Sequence, residues 1–489
     1  MSETVKLTID GKEITVPKGT SVIEATEMLG IEVPRFCWHP GLSVAGVCRF
    51  CMVKIEGMPK LQIACNTTCT EGMKVITVSD EVKDAHKWAL EFHLINHPLD
   101  CPICDQAGEC ELQNYYMKVG KYSSQMDEDK VLKPKALDVG DNLVLDTERC
   151  ILCSRCVRFE DEVTKTSALG IFNRGDHSVI GTFPNRRIQH NYSYNIVDIC
   201  PVGAFTAKDF RFKCRVWFLS ETKTICPGCS TGCNVTVFQQ KNQREYYRLK
   251  PRKNLDVNGH WMCDYGRTMY QHLNASSRLA TPSIEGKQLP WDSLKQELTK
   301  KLAAMNGNAN QVALVLTPQY TNEEYTQILQ ALKKSLGALP KVYVWRDATE
   351  NAENFDGILF RGDLHPNSNG LNKILTENNI TPISLKGDFS ALAAQKASLT
   401  LVFGPEIEKS YSQFANEITR FAELANVVYF GTTLNPITKK FSMIIPTKVF
   451  AEKSGTFVNH KGIAQKLKAN PPVFPNLLGI EDLFSELRA

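Results

Sequence analysis

Apolar positions change period several times along the 489-residue chain, and each change marks an element. Val5, Leu7 and Ile9 alternate with polar residues, Asp10-Gly11 supplies a tight-turn dipeptide, and Ile14 and Val16 resume the alternation. That pattern predicts a β-hairpin. A short helix follows through Ile23, Ala25, Met28 and Leu29, capped by Thr20 or Ser21. A cysteine-bearing loop over residues 36–50 then leads into a strand near Met52–Ile55. Over residues 83–96, Ala85, Trp88, Ala89, Phe92 and Ile95 recur at helical spacing. This helix should stop near His97-Pro98, because the residue before a proline avoids the α region. After about residue 285 the texture changes. Short strand-like runs (312–316, 342–345, 357–360, 399–403, 427–430) alternate with helical stretches. Thr321-x-x-Glu324 reads as a capping box opening a helix through Ile328, Leu329, Leu332 and Leu336. Such alternation predicts a mostly parallel, doubly wound sheet. It contains neither a GxGxxG after a strand nor a Walker loop, so it carries no nucleotide fingerprint.

The length implies several domains rather than one core. A hydrophobic content of 43% and a charged content of 22% are ordinary for a globular protein. A net charge of +4 argues for neither nucleic acid nor an anionic membrane surface. No apolar run approaches the roughly 18–20 residues that a bilayer span needs. The start, MSETVKLTIDGKE, has no apolar signal core, so export is not expected. In a chain that is not exported, cysteines point to metal or cluster binding rather than to disulfides.

There are seventeen cysteines, none after Cys263. Fifteen of them and one histidine fall into four ligand sets. These are Cys37/Cys48/Cys51/Cys65, His97/Cys101/Cys104/Cys110, Cys150/Cys153/Cys156/Cys200 and Cys226/Cys229/Cys233/Cys263. Thiolates at Cys-x2-Cys spacing close round soft metals and iron–sulphur clusters. On spacing alone the first set also admits zinc, and Cys69 competes with Cys65 for its fourth position. The second set too is a plausible zinc site, with His93 a rival one helical turn before His97. His86 and His93 otherwise read as partly exposed helix histidines. In the third set a distant Cys200-Pro201 completes the triplet, as in bacterial ferredoxins. Glu160 stands four residues after Cys156 and no second triplet precedes Cys200, so one of the usual two clusters is lost. Cys214 belongs to no set and reads as a core residue. Arg149, Arg155 and Arg158 read as solvated surface charge, with tuning of a potential or contact with a partner as the alternative.

The hairpin, helix and cysteine loop resemble the plant-type [2Fe–2S] ferredoxin domain. Residues 1–215 as a whole resemble the large iron–sulphur subunit, the G subunit, of bacterial respiratory complex I (NADH:quinone oxidoreductase). The resemblance rests on Phe36-Cys37 with Val47-Cys-Arg-Phe-Cys51, on His97-Pro-Leu-Asp-Cys101-Pro-Ile-Cys104-Asp-Gln-Ala-Gly-Glu-Cys110, and on residues 149–158 and 198–204. It implies a [2Fe–2S] cluster on the first set, with Cys65 rather than Cys69, and [4Fe–4S] clusters on the second and third. Residues 220–270 resemble the extra [4Fe–4S] module shared by many bacterial G subunits and molybdopterin enzymes, with Trp261-Met-Cys263-Asp-Tyr-Gly-Arg267 fitting it. The remainder resembles a shortened molybdopterin-enzyme domain: Arg278-Leu-Ala-Thr-Pro282, Thr321-Asn-Glu-Glu324 and Ala451-Glu-Lys-Ser-Gly-Thr-Phe-Val-Asn459 read like its landmarks. With no later cysteine to bind molybdenum, a scaffold without molybdopterin is expected.

The expected fold is therefore α+β cluster modules followed by an α/β domain. They are a β-grasp [2Fe–2S] ferredoxin domain at 1–79 and a helical module with one histidine and three cysteines at 80–140. A bacterial-ferredoxin-like module at 141–219 and a small four-cysteine module at 220–275 precede a shortened, doubly wound molybdopterin-oxidoreductase-like domain at 276–489. The resemblance implies an electron-transfer subunit of NADH:quinone oxidoreductase with no catalytic site of its own. Electrons would run from a flavin-binding NADH-oxidising partner and its small [2Fe–2S] companion through the first, third and second clusters. Further cluster subunits would carry them to quinone. The fourth cluster would lie off this path. The implied location is peripheral, on the cytoplasmic side of the inner membrane, with only indirect contact to the membrane arm. Alternatives are the diaphorase part of a soluble NAD-linked hydrogenase, a formate dehydrogenase-type protein, and a zinc-stapled scaffold.

Overall fold

The computed structural model describes residues 3–121, 123, 126–242 and 244–486, so the first two residues of the chain's opening segment lie outside it. The chain forms two compact units, Met1–Phe218 and Leu219–Ala489.

The first unit opens with β1 (Thr4–Ile9) and β2 (Lys12–Pro17), antiparallel in the register Val5↔Val16 to Ile9↔Lys12. Asp10 and Gly11 both take positive φ (48° and 79°), the twist that a two-residue hairpin favours. α1 (Val22–Met28) is capped by Ser21, not Thr20: Glu24 N–H donates to Ser21 Oγ, and Ser21 N–H to the Glu24 carboxylate at 2.9 Å. β3 (Met52–Ile55), β4 (Gln62–Ile63) and β5 (Lys74–Ile76) complete a five-stranded sheet in the order β2-β1-β5-β3-β4. α2 (Asp80–Leu94) starts earlier than the apolar spacing predicts, because Ser79 accepts the Val82 N–H and so fixes its first turn. α3 (Glu111–Val119) follows the second ligand loop. Next come β6 (Leu137–Asp138), β7 (Leu143–Leu145), α4 (Arg155–Phe159), β8 (Leu169–Phe172), β9 (Val179–Thr182), α5 (Tyr194–Ile199) and β10 (Phe205–Ala207). Of these, β10, β7 and β6 make an antiparallel sheet.

The second unit begins with an antiparallel meander that the apolar pattern does not announce: β11 (Leu219–Ile225), β12 (Asn234–Gln240) and β13 (Tyr246–Pro251). Two short helices, α6 (Asp264–Arg267) and α7 (Tyr270–Leu273), lead to β14 (Ser283–Ile284), β15 (Lys287–Gln288) and α8 (Trp291–Ala303). The winding then runs β16 (Val312–Leu316), α9 (Asn322–Leu336), β17 (Lys341–Arg346), α10 (Ser368–Glu377), β18 (Ile383–Lys386), α11 (Ser390–Gln395), β19 (Leu399–Phe403), α12 (Phe414–Ala422), β20 (Val427–Gly431) and β21 (Met443–Pro446). A hairpin of β22 (Gly455–Val458) and β23 (Ala464–Leu467) and a final helix α13 (Ile480–Glu486) close the order.

The eight-stranded sheet has the order β15-β14-β21-β20-β19-β16-β17-β18, and the six strands from β21 to β18 pair in parallel. Its middle strands are buried along their whole length, as expected where helices cover both faces. Leu314, Leu401, Phe403 and Phe430 pack with Leu298, Ile328 and Leu371 on one face. Val315, Val402, Tyr429 and Trp345 pack with Leu392, Ile418 and Phe421 on the other. The order reverses between β16 and β19, the position at which open α/β sheets leave a crevice. The expected strand at 357–360 does not form. The Asp356 carboxylate accepts the N–H groups of Ile358, Leu359 and Phe360 at 2.9–3.1 Å, so those groups are not free for a ladder. Among the described residues no helix is long and apolar enough to cross a membrane.

Candidate cluster-binding sites

The first set gathers Cys37, Cys48 and Cys51 from the loop that ends at β3 with Cys65 from the helical turn that follows β4. All four are buried, and Cys37 N–H points at Cys48 Sγ, 3.5 Å away. Neighbouring sulphurs dominate every thiol's acidity here. Cys48 and then Cys65 push Cys37 down, Cys65 pushes Cys51 down, and Cys37 drives Cys48 and Cys65 up. Four thiols that perturb one another in this way lie close enough together to serve as one ligand set. Cys69 stands outside it: burial, then Glu24, raises its thiol to about 11, with no cysteine among the causes. Phe36 and Phe50 stack beside the set at 4.8 Å, and Tyr115 meets both edge-on.

Two histidine expectations are corrected or narrowed. His86 is buried, 5% exposed, because its Nε2 reaches Met52 O at 2.9 Å under β3. His93, half-buried, engages Ala89 O through Nδ1 at 2.6 Å and packs on Phe36. That leaves His97 as the better placed imidazole. The residue is half-buried, but its Nδ1 is buried and has no hydrogen-bond partner among the described residues. Burial, then the cations Lys130 and Arg149, lowers its pKa to about 4. The ring is therefore neutral at pH 7, as a ligand must be.

The second set's thiols differ in exposure. Cys101 is exposed in a single helical turn, whereas Cys104 and Cys110 are buried. Burial raises both, Cys110 to about 11, and the neighbouring cysteines add to it. The loop is tied to the third set: Glu111 N–H donates to Pro201 O at 3.0 Å, and Arg149 holds Asp100 at 2.8 Å. A Cβ on Gly203 would lie 2.2 Å from Cys104 Sγ, so only glycine lets the Cys200 loop come this close.

In the third set, Cys150, Cys153, Cys156 and Cys200 line one small cavity with Ile180, Val202 and Phe205. Leu152 and Ser154 sit at φ 56° and 59°, a left-handed backbone uncommon for non-glycine residues. These kinks alternate with the cysteines and turn the triplet inward. Burial drives all four thiols up, Cys153 to about 12. Thiols so reluctant to ionise in an apolar cavity need a cation to hold them as thiolates. Glu160 stands where the second ferredoxin motif would need a cysteine. It is fully buried, bonded to His190 Nε2 at 2.7 Å and to Ala168 N–H.

The fourth set lies at the ends of β11 and β12. Cys226 N–H donates to Cys233 O at 2.8 Å, and the fourth thiol, Cys263, accepts from Gly266 N–H as the cap of α6. All four are buried, and burial raises each thiol, Cys226 to about 12. A Cβ at Gly266 would come within 2.8 Å of Cys226 Sγ and 3.6 Å of Cys263 Sγ, filling the space between them. The segment predicted as a strand serves this site instead: Ser230 N–H donates to Asp363 O and Thr231 Oγ1 to Leu359 O.

Two further expectations fail. Cys214 is half-buried, not a core residue, and its thiol reaches the adjacent Arg215 O. Arg149 and Arg155 are 4% exposed and Arg158 is half-buried, so none is solvated surface charge. Sequence logic misplaced them because their acceptors come from distant loops. One potential ligand group was not anticipated: Glu350, Asp363 and His365, mutually close and buried. Arg346 sits against both carboxylates, at 3.0 and 3.6 Å, and His365 Nε2 meets Tyr411 OH at 3.0 Å. Burial opposes charge on His365, but its bonds to Asp363 and Glu350 outweigh it and raise the pKa. The two carboxylates thus already have Arg346 and His365 as partners.

The donor sets fit iron–sulphur clusters: thiols in four groups, a neutral imidazole with a buried, unpartnered nitrogen, and a glycine leaving room between sulphurs. Sequence models of four families match in order along the chain. They are a 2Fe-2S iron-sulfur cluster binding domain at 2–80, the NADH-ubiquinone oxidoreductase-G iron-sulfur binding region at 87–124, the ferredoxin-like domain of NADH-quinone oxidoreductase subunit 3 at 140–206, and the molybdopterin oxidoreductase Fe4S4 domain at 219–275. The NADH-quinone oxidoreductase G subunit of Streptomyces coelicolor is 41% identical over 310 residues, 62% of this chain and 36% of that one. The alpha subunit of NADPH-Fe(3+) oxidoreductase of Geobacter sulfurreducens is 34% identical over 337 residues, 68% of this chain and 39% of that one. The mitochondrial NADH-ubiquinone oxidoreductase 78 kDa subunit of Candida albicans is 35% identical over 364 residues, 72% and 49%. The chain thus spans about a third to a half of the length of these relatives. Four iron–sulphur modules in this order, with 38–41% identity over 62% of the chain, make that part of it homologous to the NADH-quinone oxidoreductase G subunit.

Proposed function

We propose that this chain is an electron-transfer subunit of an NADH:quinone oxidoreductase. Its five modules would be those at 1–79, 80–140, 141–219, 220–275 and 276–489. Cys37, Cys48, Cys51 and Cys65 would hold a [2Fe–2S] cluster, and the sets of His97, Cys150 and Cys226 would each hold a [4Fe–4S] cluster. When bound, these groups supply one-electron donor and acceptor chemistry, with no bond made or broken in the substrate. The protein's part is to fix spacing, exclude water and place hydrogen bonds and charges near sulphur.

The observation that carries the reading is the packing within the first unit. The module at 141–219 touches both others at their ligand loops: Arg158 donates to Cys37 O and Cys153 O, and Glu111 bonds Pro201. This supports a path in the order first, third, second. Cys101, exposed between the exposed Leu99 and Ile103, suits an exit to a further cluster protein. The partners implied are a flavin-binding NADH-oxidising subunit with its small [2Fe–2S] companion, then cluster subunits leading to quinone at the cytoplasmic face of the membrane.

The doubly wound domain does not suit molybdopterin. The residues following β16 and β19 contribute Tyr320 and Glu406, which pack with Lys453 and Glu324, all buried. Lys453 pairs with Glu324 at 2.7 Å and with Glu406, so the crevice is filled by the protein itself. We infer a scaffold there.

A second reading, a soluble NADPH-dependent reductase, is favoured by the Geobacter relative, whose match spans 68% of this chain. The test is to purify the full chain with its native partners anaerobically and follow cluster reduction by electron paramagnetic resonance. The proposal expects reduction by NADH and reoxidation by quinone. Reduction by NADPH alone, with no response to quinone, would replace it with the second reading.

A further inference from the structure

Arg155 opens α4 between two ligands of the third set, Cys153 and Cys156, and its side chain is only 5% exposed. Its two terminal nitrogens reach three different loops. Nη2 donates to Trp38 O at 2.9 Å, next to Cys37 of the first set. Nη1 donates to Ile199 O at 3.0 Å, next to Cys200 of the third. Both nitrogens face the Glu111 carboxylate at 3.3 and 3.4 Å, next to Cys110 of the second. Every partner is thus the sequence neighbour of a ligand in a different set. One donor is left over. Arg155 Nε is buried and has no hydrogen-bond partner among the described residues, and the guanidinium interacts electrostatically with Cys153 and Cys200.

We propose that Arg155 is a positioning and tuning residue for electron transfer: its fork locks the three ligand loops together, and its Nε–H and charge serve sulphur at the third set. This deepens the reading above and rests on it. Lysine would keep the charge but cannot reproduce a planar fork holding three acceptors. A buried unpaired N–H is costly, and sulphur of an anionic cluster is the acceptor that the site's chemistry offers. Hydrogen bonds to sulphur and nearby positive charge favour the reduced, more negative state. Losing them lowers the potential.

The test uses the full chain, prepared anaerobically and reduced with dithionite. Arg155→Lys and Arg155→Gln are compared with the parent by redox titration, each cluster followed by its paramagnetic signal. Both variants should move the third cluster's midpoint to more negative potential, the glutamine further than the lysine, while the fourth cluster's stays put. Full iron content with an unmoved third-cluster midpoint would overturn the inference. Should the variants lose iron, protein labelled with arginine carrying 15N at Nε alone decides by pulsed resonance: an Nε coupling to the third cluster that persists in Arg149→Lys and Arg158→Lys upholds the inference, and its absence overturns it. If the parent itself shows no cluster signals, the electron-transfer reading fails, and that outcome is distinct from the other two.

Discussion

Gly203→Ala tests whether the second and third ligand loops are held at a distance that only a missing side chain permits. The added Cβ would stand 2.2 Å from Cys104 Sγ and 3.2 Å from Gln106 Cβ. Ordinary contact needs about 3.5–4.0 Å, so relief requires a shift of roughly 1.3–1.8 Å in the Cys104 thiol or in the Cys200 loop. Neither gives easily. Cys104 is 8% exposed with one side-chain torsion to turn, and the Cys200 loop is pinned by Glu111 N–H on Pro201 O. Overpacking of this kind costs about 1–3 kcal/mol, which is roughly a 5- to 150-fold shift in an equilibrium. The strain falls on ligands of two sets, so the second and third clusters should be lost together while the first and fourth are kept. Iron and sulphide analysis with signal quantitation, on protein made anaerobically, measures this directly. Retention of all four signals at parental intensity would show that the loops do not constrain each other as argued.

Further expectations concern other parts of the molecule. Lys453→Met leaves Glu324 and Glu406 buried without their cation and should destabilise the second unit by about 3–5 kcal/mol, with unchanged first-unit cluster signals; denaturant unfolding checks it. Cys229→Ala opens the fourth set and should reduce yield and assembly more than NADH-to-quinone turnover per assembled complex, whereas Cys153→Ala should abolish turnover. His272 is half-buried against Glu406 O and its pKa is lowered from 6.5 to about 4, desolvation being the main cause. The unfolded chain therefore takes up a proton first as pH falls, so stability present above about pH 6.5 drains away down to about pH 4. The loss attributable to this group is roughly 3 kcal/mol, and it should vanish in His272→Gln when unfolding is compared across that range.

How much of this was legible in the sequence follows from how local each signal is. The four candidate ligand sets could be proposed from the sequence because cysteine spacing is itself the chemistry. The hairpin at Asp10-Gly11 and the Thr321–Glu324 cap could be read because each is settled within four residues. Ile358, Leu359 and Phe360 misled because an apolar run says nothing about where its N–H groups go, and Asp356 had already taken them. β18 was missed because it is an edge strand with only Leu385 buried, and β21 because a four-residue run ending in Pro446 is a weak signal. The arginines were misplaced for a deeper reason. Arg155 draws its acceptors from residues 38, 111 and 199, and no window of sequence shows that a charge will be buried at such a junction. Spacing alone left Cys65 and Cys69 open and only the family resemblance favoured Cys65; in three dimensions both are buried and Cys65 lies among the sulphurs.

The most direct trial of the whole account is iron and acid-labile sulphide analysis of the anaerobically purified full chain, with paramagnetic resonance after reduction. One [2Fe–2S] and three [4Fe–4S] clusters predict about 14 iron and about 14 sulphide per chain, with distinguishable reduced-state signals. Zinc in place of iron, or thiols titrating as free with no sulphide released, would contradict it.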